Sequence, residues 1–71
     1  MDEEQLKKEL YEYIQNKDNK FLELQDYNAD FIYNSVSKTC LFEKQPLTLE
    51  NLKGWARYLD SDLHMDFRKG S

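Results

Sequence analysis

Phe31-Ile32-Tyr33-Asn34-Ser35-Val36-Ser37 is the stretch on which the fold of this chain turns. It is poor in strong helix formers and rich in aromatic, β-branched and turn-forming residues. Read as a strand, it has partners on both sides. Phe21-Leu22-Glu23-Leu24-Gln25 precedes it across a turn at Tyr27-Asn28-Ala29-Asp30. Thr39-Cys40-Leu41-Phe42-Glu43 follows it across Ser35-Val36-Ser37-Lys38. This reading predicts a three-stranded antiparallel sheet. The competing reading is a second helix, because Leu24, Tyr27 and Phe31 stand at i, i+3 and i+7.

The flanks are easier. Leu6, Leu10, Tyr13 and Ile14 follow a 3.6-residue period and predict a helix from Asp2 to Asn16. Its acidic start suits the positive end of the helix dipole. Glu4 and Lys8 stand in register for an i,i+4 ion pair. Asn16-Lys17-Asp18-Asn19-Lys20 has no apolar residue and should end that helix. Downstream, Pro46 marks a boundary. Thr48 is a good N-cap, and Leu47 and Leu52 occupy the positions of a hydrophobic staple. A helix from about Leu49 to Asp60 is expected, with Leu49, Leu52, Ala56, Leu59 and Leu63 on its apolar stripe. The predicted class is therefore α+β, one domain over 1–71 of order α-β-β-β-α, with 64–71 frayed. The alternative is an all-α three-helix fold.

Seventy-one residues leave little room for a pocket. A chain this short hides only about 60 % of the surface that its unfolded form exposes. Cys40 is the only cysteine, so no internal disulfide can form, and no Cys/His cluster suggests zinc. A well-packed aromatic core or a homodimer must stabilise it. The formal net charge of −4 argues against direct contact with nucleic acid or an anionic membrane. It favours a basic protein partner. No apolar run approaches the roughly 20 residues of a membrane span. The acidic start Met1-Asp2-Glu3-Glu4 lacks the features of a signal peptide, so a cytoplasmic location is expected.

No reading toward chemistry gathers enough residues, and the chain is not expected to be an enzyme. The acids are interleaved with lysines or lie near turns, as solvated residues do, and catalytic pairs need a dry cleft. Asp62, His64 and Asp66 alternate like metal ligands, but no fourth ligand is near, so a polar tail without metal is expected. Cys40 has only His64 to activate it and lies in an apolar run, so a core role is expected. There is no glycine-rich phosphate loop, and no cofactor is implied.

Binding remains. Gly54 interrupts a helix at a cost of about 1 kcal/mol relative to alanine. That points to close backbone approach, by another element or by a second copy of the chain, the alternatives being internal packing against the neighbours of Trp55 or no role at all. Trp55, Arg57 and Tyr58 are of the types enriched at interface hot spots, the alternative being Trp55 as the main core anchor with Tyr58 covering its edge. Acids cluster at Glu23, Asp26 and Asp30, and again at Asp60, Asp62 and Asp66. Such carboxylates can imitate phosphates and occupy a DNA-binding surface. The composition resembles that of short acidic proteins of bacteria and their phages, many of which inhibit a host protein. The first expectation is thus an acidic, phage-type inhibitor that competes with DNA for a basic host protein. The second is a regulatory or adaptor module that binds through a hydrophobic face around Trp55 and Tyr58.

Overall fold

The computed structural model describes residues 2–69, with side chains through Asp66. It is a three-helix bundle: α1 spans Glu3–Gln15, α2 Ala29–Phe42 and α3 Leu49–Lys69. Two 3₁₀ turns, Lys17–Asn19 and Leu24–Asp26, lie between α1 and α2. The described residues contain no strand, so the predicted α-β-β-β-α order is overturned and the all-α alternative holds.

The reason lies in Asn28 and in the spacing of the buried residues. Asn28 Oδ1 accepts the Phe31 N–H at 2.8 Å, so Tyr27-Asn28-Ala29-Asp30 holds an N-cap and not a hairpin turn. Ile32, Tyr33, Val36 and Cys40 are buried, at i, i+1, i+4 and i+8. In a strand, Ile32 and Tyr33 would point to opposite faces; on a helix all four share one. The hydroxyls that weaken helix propensity are absorbed by the helix itself. Thr39 Oγ1 donates to the Ser35 carbonyl and Ser37 Oγ to the Asn34 carbonyl. Burial of one face outweighs a poor intrinsic preference.

α2 ends without glycine. Lys44 takes the left-handed conformation, φ 60°. Its N–H donates to the Leu41 carbonyl at 2.9 Å, and the Gln45 N–H to the Cys40 carbonyl at 3.0 Å. This is the Schellman pattern, followed at once by Pro46. The buried Cys40 thiol donates toward the Gln45 and Pro46 carbonyls and helps hold the loop against α2.

α3 starts at Leu49 as the sequence predicts, and α1 starts at Glu3, one residue after the expected Asp2. Asp2 caps α1 by accepting the Gln5 N–H at 2.8 Å. Thr48 Oγ1 accepts the Asn51 N–H at 3.2 Å. Lys7, not Lys8, makes the α1 ion pairs, with Glu4 at 3.7 Å and with Asp30 at 2.7 Å. α3 runs nine residues past the expected Asp60 and stays helical from His64 to Lys69. Gly70 and Ser71, the rest of the segment expected to fray, lie outside the described residues. At 21 residues α3 is about 31 Å long. It packs on α1 and α2 through the fully buried Leu52 and Ala56. α1 contributes Leu6, Leu10 and Ile14 to the same core. Phe21 and Leu24, from the connecting segment, close it.

Candidate partner-binding face

Asp60 sits at i+4 from Ala56 and i+8 from Leu52, in register with the apolar stripe of α3, and only 6 % of it is exposed. Its carboxylate accepts backbone N–H groups from the segment that connects α1 to α2. Oδ1 takes Glu23 at 2.7 Å and Leu24 at 2.9 Å, and Leu22 donates to both oxygens at 3.0 and 3.1 Å. A buried charge is tolerable when it is this fully hydrogen-bonded. One turn later, His64 Nδ1 lies 2.8 Å from Glu23 Oε1. Asp60 and His64 together clamp residues 22–24 to α3. Arg57, one turn before, donates to the Asn19 carbonyl and the Tyr13 hydroxyl and stacks over the Phe21 ring at 4.6 Å. This edge of α3 is occupied by the chain's own fold.

The acidic surface expected from the sequence is smaller as a result. Asp60 is buried and cannot meet a partner. Glu23 faces His64, and Asp30 faces Lys7. Asp26, Asp62 and Asp66 are exposed, and no described side chain pairs with them. His64 turns to Glu23, and no three His, Cys, Asp or Glu residues among those described are arranged to hold a metal ion. Cys40 lies in the core, and burial pushes its thiol above the ordinary value. His64 and Cys40 are thus held in separate places.

The opposite edge of α3 is open. Trp55 is half-buried against the core, and its indole N–H donates to Gln45 Oε1 at 2.9 Å. Tyr58 is 63 % exposed and meets Trp55 edge to face, with centroids 5.8 Å apart and planes at 78°. Gly54 lies beside them, and a Cβ placed on it would meet no atom within 4 Å. Among the described residues, no element makes the close approach that its glycine suggests. Gln45, Glu50, Asn51, Gly54, Trp55 and Tyr58 line a shallow groove of about 410 Å³. No family model, curated protein or solved structure matches this chain.

The sequence singled out Trp55, Tyr58 and Gly54, and the fold brings them together. It did not single out Glu50 and Asn51, which stand one turn before Gly54 on α3, or Gln45, which joins the face because its side chain reaches Trp55 from the loop after α2. Asp60 carried a signal that could have been read, since it keeps the period of the buried stripe. Further apolar surface is exposed at Leu41 and, at 82 %, Phe42, the last two residues of α2. Leu22 and Met65 are also exposed. Among the described residues no helix is long and apolar enough to cross a membrane.

Proposed function

We propose that this chain is a small helical module that binds a partner protein through the α3 face around Gly54, Trp55 and Tyr58. The observation that carries the proposal is Gly54. A glycine inside a long helix costs stability, and here none of the described residues uses the space it leaves. Two aromatic rings border that space, one pinned by a hydrogen bond and the other largely exposed. A rigid aromatic corner beside a bare stretch of helix suits a contact that buries Trp and Tyr at its centre.

A second reading keeps the acids as the working part, as in an inhibitor that displaces DNA from a basic host protein. Asp62 and Asp66 favour it, because they stand one turn apart on α3, exposed and unpaired with any described side chain. Asp26 adds a third free carboxylate. The readings separate in one affinity-capture series from cell lysate. On the first, Tyr58→Ala abolishes capture, and it survives both 0.5 M salt and the Asp62→Asn/Asp66→Asn double variant. On the second, high salt and the double variant abolish capture and Tyr58→Ala does not.

A further inference from the structure

We propose that the groove beside Gly54 receives the side chain of an arginine, presented by a basic segment of the partner protein. This rests on the partner-binding reading and gives its contact a chemistry.

Glu50 lies in the groove on the first turn of α3, exposed, and no described cation pairs with it. Trp55 and Tyr58 stand at 78° to one another, so their rings form a corner with π faces in two directions. The indole N–H is already satisfied by Gln45, which fixes the ring without using its face. Asn51 donates its amide to the Pro46 carbonyl, leaving its side-chain oxygen to accept. A carboxylate, an amide oxygen and two aromatic faces together suit a planar guanidinium, which stacks on rings and donates several hydrogen bonds in its own plane. A compact ammonium uses less of such a site. The missing Cβ at Gly54 gives the aliphatic stem a place to lie against the helix.

The same chain solves the same problem internally at another edge. Arg57 stacks on Phe21 and donates to a carbonyl and a tyrosine hydroxyl. Lys53 lies over the Tyr13 ring, and Lys7 is paired with Asp30. These cations are already engaged, while the net charge of −4 attracts one from outside.

Trp55 is the only tryptophan, so its fluorescence reports the groove. The full chain is titrated with an (Arg-Gly)₄ peptide and with peptides of the same length carrying citrulline or lysine. The arginine peptide should change the emission saturably and the other two much less. Glu50→Gln and Tyr58→Ala should each weaken that binding about three- to thirtyfold, the range of a partly exposed cation–π or charge-assisted contact. Both positions are exposed, so the variants should keep the fold, and circular dichroism of each checks this. Equal response to citrulline or lysine overturns the proposal, as does binding indifferent to Glu50→Gln. Emission that changes with protein concentration alone, without peptide, also overturns it, because a second copy then fills the groove. A lysate partner whose capture requires Tyr58 but ignores Glu50→Gln sinks the arginine assignment and leaves the binding face standing. Capture that needs neither Tyr58 nor Glu50 removes both.

Discussion

The Asp60 carboxylate caps the backbone at Leu24, accepting its N–H at 2.9 Å from 36 residues away along the chain. That bond makes an irregular connection part of the core. Without it, the N–H groups of residues 22–24 would be buried or half-buried with no acceptor. Asp60→Ala should therefore destabilise the fold by about 3 kcal/mol, and Asp60→Asn by less, since its amide oxygen keeps part of the set. Urea unfolding followed by far-ultraviolet circular dichroism measures both. A loss below 0.5 kcal/mol for Asp60→Ala, the size of a change at an ordinary exposed residue, would mean that the segment is held by other contacts.

Gly54→Ala should stabilise the protein by about 1 kcal/mol, because the site is helical and open. In a domain this small that raises the melting temperature by about 4–8 °C. The same methyl enters the groove and should weaken partner binding. Calorimetry and capture on one variant therefore move in opposite directions. If binding were unchanged, the bare stretch of helix would have no part in it.

Lys44→Gly should also stabilise, by about 0.5–1 kcal/mol, since a residue with a side chain is strained at φ 60° and glycine is not. The gain is reduced by the greater freedom of glycine in the unfolded chain. A melting curve for the variant checks this. A large loss would show that the Lys44 side chain holds the loop.

Stability should decline on the alkaline side. Burial pushes Cys40 above its ordinary 9.0 and Tyr33 above 10.0. The bond to Asp30 raises Lys7 above 10.5. In each case the folded state holds its proton longer than the unfolded state does. Stability is thus intact below about pH 9 and is lost as pH rises through the folded values. Cys40→Val should move the onset upward by removing the group with the lowest ordinary value. Unfolding midpoints between pH 8 and 11 test this. An unchanged onset in Cys40→Val would mean that the thiol is not the first group to titrate.

α1 was legible from its stripe of Leu6, Leu10 and Ile14 behind an acidic start, and the start of α3 because cap and stripe agree, Thr48 with Leu52 and Ala56. The middle was not. The helical period of α2 rests on Ile32, Tyr33, Val36 and Cys40, two of them β-branched and one aromatic, so local preference and burial pattern point in different directions. Its end was hidden because Lys44 does the work that glycine usually announces. Trp55 and Tyr58 could be picked out by type alone. The partners that shape the groove around them could not, since Gln45 reaches Trp55 only after α2 has turned through its C-terminal loop. Asp60 was misplaced because a carboxylate after an apolar helix reads as surface until its backbone partners are known.

The most direct test places a photo-crosslinking amino acid at Tyr58 in one variant and at Asn34, on the exposed side of α2, in another. Irradiation in cells should attach a discrete partner to the Tyr58 probe and none to the Asn34 probe. Equal labelling from both positions, or labelling from Asn34 alone, would contradict a binding face on α3.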